Sequence, residues 1–277
     1  MSIPEVVFSE KPRGYHVNGV KVPGVTTVLG ILDKPALPPW AAKMTVLGVA
    51  RLMMERRLPA VPSNPERLRQ KLAAENIKVP ENPDREALAS GVAHLLKRRL
   101  KSRKLDHFSI TGDAIDRGNA VHKAQEDWIN HRRIPVLANY PETHRGYIQG
   151  WTRFVLEWEP EFLEAERPIG SAVHGFAGTR DTVCRVRHAK YGRCLLDLKT
   201  SKAVYPGTMF PQLMAYEIGG VECGDEPTDR QGIVRIGDGE FEVAWSVAEP
   251  DDFLSVLHAY KRQQALIARA KETRNAE

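Results

Sequence analysis

The chain has 277 residues, 42% hydrophobic and 27% charged, with a formal charge of +5. It is long enough to bury a sizeable core, as one large domain or as a core with a helical extension. The positive charge permits a polyanionic partner without requiring one. The only cysteines, Cys184, Cys194 and Cys223, form no C-x-x-C and exclude a four-thiolate zinc or iron–sulfur site. They fit reduced thiols. The opening MSIPEVVFSEKPRGYHV has no apolar core of signal-peptide length, and no run reaches membrane-spanning length. The expectation is a cytoplasmic protein with no membrane association.

In chain order, Tyr15 to Val22 reads as a hairpin, with Asn18-Gly19 supplying the positive-φ pair of a type I′ turn. Val25 to Leu29 reads as a short helix capped by a threonine. Trp40 to Arg57 is an amphipathic helix behind Pro38-Pro39. Leu58 to Arg85 holds five prolines around a helical run at Glu66–Glu75, which reads as a linker-like insertion. Glu86 to Arg103 is a helix ending in KRRLKSRK, either a solvated basic end suited to the helix dipole or a phosphate-contacting face.

Thr111 to His131 is the next helix and places His122 and Glu126 on one face. Pro141 to Glu159 follows, with Tyr147, Trp151, Phe154 and Trp158 at core-like spacing. The segment Glu166 to Tyr216 then reads as strands, a turn and a helix from Gly207 to Gly219, with Pro211 in the first turn. Arg230–Ile236 and Glu240–Val247 read as paired strands around Gly237-Asp238-Gly239, and Asp251 to Lys271 as a closing helix. The expected fold class is mixed α/β, a central mixed sheet flanked by helices with a helical N-terminal part. The expected division is 1–110, hairpin and helices, and 111–277, the core.

The chemistry concentrates in two strands. Asp197 and Lys199 are two apart and share a face, while Leu196 and Leu198 point to the other side and enter a core. Asp181 lies one predicted strand earlier. Asp197-Leu198-Lys199 is the sole [DE]-x-K in the chain, but about one D-x-K is expected by chance at this length. Its weight comes from its company: Glu166 and His122 upstream, Gln212 and Tyr216 on the next helix. A purely structural cluster, with Asp181 and Asp197 neutralised by Lys199 and Arg180, would bury two acids at high cost without a metal.

Four short patterns stand in order: Arg117-Gly118-Asn119-Ala120-Val121-His122, Gly178-Thr179-Arg180-Asp181, Asp197-Leu198-Lys199 and Gln212-Leu213-Met214-Ala215-Tyr216. The set resembles the PD-(D/E)XK nuclease superfamily in its RecB-type branch, over about Asp116 to Tyr216. The stretch VTTVLGILDKPALPPW is similar to the opening of phage-encoded exonucleases of this group. Two departures stand out. Arg180 replaces the proline before the first aspartate, and the four cysteines of the iron–sulfur relatives are absent, so no such cluster is expected.

The resemblance implies a restriction-endonuclease-like core, Mg²⁺ or Mn²⁺ as one or two ions, and hydrolysis of DNA phosphodiesters. Hard cations take oxygen ligands, so Asp181 and Asp197 are the expected pair, with the Leu198 carbonyl as a third. His122 would be a ligand more suited to Mn²⁺, and Glu166 a further ligand or an orienter of water. Lys199 would position or deprotonate the attacking water and offset transition-state charge, with positioning and charge preferred because a base would need a much lowered pKa. Gln212, Tyr216, Arg117, Arg180 and Lys202 would contact DNA. The leading expectation is an exonuclease acting at ends in recombination or repair. A junction resolvase or restriction-type endonuclease and a catalytically silent DNA-binding module stand as alternatives. DNA is the expected partner, with room for a single-strand annealing or recombination protein and for a homo-oligomer.

Overall fold

The computed structural model describes residues 2–32, 37–186 and 191–276. Residues 33–36, inside the stretch that resembles phage exonucleases, lie outside the described residues. The chain divides into two compact units, one comprising Met1–Asp33 with Asp116–Glu277 and the other Lys34–Ile115.

The first unit opens with a three-stranded antiparallel sheet, β1 (Val6–Glu10), β2 (Arg13–Val17) and β3 (Val20–Val22). The expected turn is present: Val17 pairs with Val20 across Asn18 (φ 50°) and Gly19 (φ 76°). Only residues that tolerate the left-handed region suit that turn. β1, not anticipated from the sequence, pairs with β2 from Val6↔Val17 to Glu10↔Arg13. The helix α1 (Val25–Leu29) has Gly24 rather than a threonine at its N-cap, with no side-chain cap bond.

The second unit is helical: α2 (Leu37–Met54), α3 (Pro65–Ala74) and α4 (Arg85–Ser102). Asn64 and Asp84 cap α3 and α4 by accepting from Arg67 N (3.0 Å) and Ala87 N (2.7 Å). The proline-rich segment, read as a linker-like insertion, packs on α4 in a small core, Leu68, Leu72 and Ile77 meeting Leu88 and Leu95. Gly91 permits it: a Cβ there would stand 2.5 Å from Leu72 Cδ1.

The helix α5 (His107–His131) follows, and from Asp116 on its residues belong to the first unit. Then come α6 (Glu142–Trp158), β4 (Glu161–Ser171), β5 (Phe176–Arg185), β6 (Arg193–Lys199), α7 (Pro206–Glu222), β7 (Arg230–Ile236), β8 (Phe241–Trp245) and α8 (Pro250–Ala276). The strands form one five-stranded mixed sheet in the order β4-β5-β6-β7-β8, antiparallel except for β6 and β7. A parallel pair needs a crossover connection, and α7 provides it. The first unit is therefore a mixed α/β fold, as the element order implied.

Alternation along the strands sorts the two cores. Leu195, Ile233, Leu213, Phe253 and Leu257 pack together on one face with α1, α7 and α8. Leu196, Leu198, Val234, Val121, Trp151 and Phe154 pack on the other with α5 and α6. The aromatic residues of α6 are thus largely core. Pro211 lies well inside α7, not in its first turn, because Pro206 takes that place. Among the described residues no helix is long and apolar enough to cross a membrane.

Candidate functional site

The site lies where β5 and β6 part. Their ladder runs from Arg185↔Arg193 to Thr182↔Leu196 and stops, while β6 continues to Lys199. Beyond that point the Leu198 N–H has no backbone partner on β5, and it donates instead to the side chain of Asp181, Oδ2, at 2.8 Å. A side-chain carboxylate thus replaces a ladder carbonyl, which fixes Asp181 and leaves it otherwise free to accept. Leu198 meets Asp181 through its N–H rather than its carbonyl.

On the other side of β5, the register pairs Ala165 with Thr182 and Arg167 with Arg180, leaving Glu166 and Asp181 facing each other between them. Glu166 has φ 49°, a left-handed conformation that costs a non-glycine residue about 1 kcal/mol. Its Oε1 reaches His122 Nδ1 at 3.2 Å, and the same nitrogen lies 3.7 Å from Asp181 Oδ2. His122, Glu166 and Asp181 offer ligand atoms all within 4.8 Å of one another. Glu126, the expected helical partner of His122, instead pairs with Lys123 at 3.0 Å.

Asp197 is fully buried behind this group. Its Oδ2 pairs with Lys199 Nζ, and its Oδ1 accepts from Gln212 Nε2 at 3.3 Å. Gln212 Nε2 also donates to Tyr216 Oη at 2.8 Å. The side chains grade from solvent to core: Glu166 is 36% exposed, His122 31%, Lys199 24%, Asp181 11% and Asp197 1%. The mouth is therefore at Glu166 and His122, and the closed end at Asp197, Gln212 and Tyr216.

Electrostatics follow from that burial. Burial alone would push the His122 imidazolium to lower pKa, but the carboxylates of Asp181 and Glu166 outweigh it and raise the group to about 9. Burial, reinforced by Asp181 and opposed by Lys199, raises Asp197 to about 6. Burial opposes the Lys199 ammonium, yet Asp197 and Asp181 hold it above its usual value. At neutral pH the metal-free site therefore contains carboxylates, an imidazolium and an ammonium. A proton sits on His122 where a cation would find two carboxylate oxygens and a ring nitrogen. Two oxygens with one imidazole suit a hard or borderline divalent ion such as Mn²⁺ or Mg²⁺ better than a soft one.

The remaining expected residues divide. Arg117 donates to the Thr200 carbonyl at 3.2 Å and lies 4.3 Å over the Tyr147 ring, tying α5 to the end of β6. Gln212 and Tyr216, expected to contact DNA, are buried against Asp197 and act as its support. Arg180 is 2% exposed and engaged by Glu164 and Asp225. A guanidinium so enclosed presents no donor to a DNA strand, and it does not neutralise Asp181 or Asp197. Lys202 is exposed in the segment after β6, with no ion pair among the described residues.

Gly178, the first residue of the second pattern, gives the Tyr216 ring its place, since a Cβ there would lie 2.8 Å from Tyr216 Cε1. One contributor, Tyr15, escaped the sequence reading. On the N-terminal sheet, it meets Thr179 Oγ1 at 2.9 Å, a contact across 164 positions that no local pattern encodes. In comparison with known proteins, the chain matches no family model and no curated sequence.

Proposed function

We propose that the chain is a metal-dependent deoxyribonuclease of the PD-(D/E)XK type that acts at DNA ends. One observation carries the reading. Four short patterns spread from Arg117 to Tyr216 meet in a single cluster of side chains, where His122, Glu166 and Asp181 offer donors within 4.8 Å and the Asp197–Lys199 pair lies behind. In this reading His122, Glu166 and Asp181 hold a divalent cation, with Asp197 beside them. The bound ion would neutralise phosphate charge and lower the pKa of water.

The protein's own groups have separate roles. Lys199, kept cationic by Asp197 and Asp181, stabilises the negative charge that builds on the phosphoryl oxygens. Being held cationic, it suits that role and not that of a base. Gln212 and Tyr216 fix the Asp197 carboxylate, and through it the ammonium. Arg117 holds the segment after β6 against α5.

The test uses end-labelled linear duplex beside a closed circle of the same sequence, with Mg²⁺, Mn²⁺ or EDTA. Metal-dependent loss of the linear DNA alone is expected. Loss of the circle as well would replace ends by internal sites as the target. Survival of both in every metal would refute the nuclease.

A further inference from the structure

The two units carry opposite charge. Lys34–Ile115 holds 16 Lys and Arg against 8 Asp and Glu, a formal +8, while the remainder holds 24 against 27, a formal −3. The unit with the acidic cleft is therefore the acidic one, and the basic character of the chain resides in its helical unit. That positive charge is concentrated at the end of α4, where Lys97, Arg98, Arg99, Lys101, Arg103 and Lys104 are all exposed. Arg98 and Arg99 are occupied by Glu75, through its carbonyl and its carboxylate (3.8 Å) respectively. Lys97, Lys101, Arg103 and Lys104 make no ion pair among the described residues.

Lys97 and Lys101, one helical turn apart, border a groove of about 800 Å³ within this unit. Its walls are mostly apolar, with Val49, Leu100 and Phe108 among them. Gly48 lets α2 approach the chain after α4: a Cβ there would lie 2.5 Å from the Leu105 carbonyl oxygen. Phe108 is 66% exposed, and its ring centroid lies 4.0 Å from that of His107, which also lines the groove. The one acid in the lining, Asp106, is spent on capping α5. Its oxygens accept from Ser109 N at 3.1 Å and Ser109 Oγ at 2.6 Å.

We propose that this groove binds a single strand of nucleic acid, with Lys97 and Lys101 on successive phosphates and a base stacked on Phe108 beside His107. Unpaired lysines at a rim call for an anionic chain. An exposed ring in the lining of the same groove calls for flat apolar faces on that same chain. A single strand supplies both, whereas a duplex hides its base faces. The hydroxyls in the lining are engaged locally, Thr45 Oγ1 donating to the Ala41 carbonyl at 3.0 Å and Ser109 Oγ to Asp106, so the groove reads backbone and stacking rather than sequence. The inference goes beyond the cleavage reading and does not depend on it.

The test is fluorescence anisotropy of a labelled oligothymidylate of about 12 nucleotides, a length within the usual site sizes. The full chain is used, in EDTA so that no cleavage occurs, with a hairpin duplex as competitor. Wild type binds the single strand in preference to the duplex. Phe108→Ala weakens the single-strand complex about five- to a hundred-fold and leaves its salt dependence unchanged. Lys97→Gln with Lys101→Gln lowers the slope of log affinity against log salt by about 1.4, two phosphate contacts' worth. Phe108→Trp keeps the stacking face and the affinity, which separates stacking from any folding defect of the alanine variant. Single-strand affinity within two-fold of wild type in Phe108→Ala overturns the proposal and leaves the groove to a protein segment. Equal binding of duplex and single strand overturns it too. Intact binding without metal-dependent cleavage would refute the nuclease reading and leave this one standing.

Discussion

Replacing Lys199 by methionine removes the cation that faces Asp197 while keeping the bulk of the side chain. Asp197 is fully buried, so the variant relieves itself by protonating the carboxyl. In the metal-free wild type the folded-state pKa of Asp197 is about 6. Below that value both proteins hold a neutral acid, and they differ only by the packing and the bond lost at Lys199. Above it the wild type ionises, whereas the variant, its folded pKa pushed higher still, keeps a proton that the unfolded chain has released. The folded variant then binds one proton more than its unfolded chain, so its stability falls as pH rises. The deficit relative to wild type therefore grows by about 1.4 kcal/mol per pH unit above pH 6. Because wild-type Asp197 is only half ionised at pH 6, the deficit at pH 8 is roughly 2 kcal/mol larger than at pH 6. Urea denaturation of both proteins between pH 5.5 and 8.5, in EDTA, measures this. Adding Asp197→Asn to the variant should abolish the growth. A deficit flat within about 0.5 kcal/mol across that range would show that Lys199 does not hold Asp197 ionised.

Three further outcomes are expected. Binding of Mn²⁺ at pH 7.5 should expel the proton that His122 carries with its pKa near 9. Calorimetry in buffers of different ionisation enthalpy should therefore find close to one proton released, with apparent affinity rising about ten-fold per pH unit towards pH 9; no release would separate His122 from the metal. Glu166→Gly removes a donor and at the same time relieves a positive φ. Stability should hold or rise by up to about 1 kcal/mol, while Mn²⁺ affinity falls; a stability loss as large as that of a core truncation would mark Glu166 as structural. Gly178→Ala forces a methyl group 2.8 Å from Tyr216 Cε1 and 3.1 Å from Val25 Cγ2. A loss of about 1–3 kcal/mol in urea denaturation is expected, and a neutral result would mean that β5 and α7 yield without cost.

The sequence by itself determined what short-range physics encodes. Alternation placed Leu196 and Leu198 in one core and sent Asp197 and Lys199 to the other side. Asn18-Gly19 set the hairpin because few other pairs accept two positive φ values. Element order pointed to a mixed sheet, and α7 does supply the crossover between β6 and β7. The spacing of the four patterns brought His122, Asp181, Asp197, Gln212 and Tyr216 into one list.

Tertiary structure alone decided how that list is arranged. Which of Glu126 and Glu166 meets His122 depends on the approach of α5 to β4 and on one left-handed residue, not on helical spacing. Arg180 adjoins Asp181 in sequence, yet Glu164 and Asp225 enclose it, because neighbouring strand residues need not face the same surroundings. Gln212 and Tyr216 turned out to be buried supports of Asp197, a depth that no pattern of residue types records. The early parting of β5 from β6 gives Asp181 its bond to the Leu198 N–H, because a backbone donor left by the ladder must find an acceptor where the chain has folded one beside it.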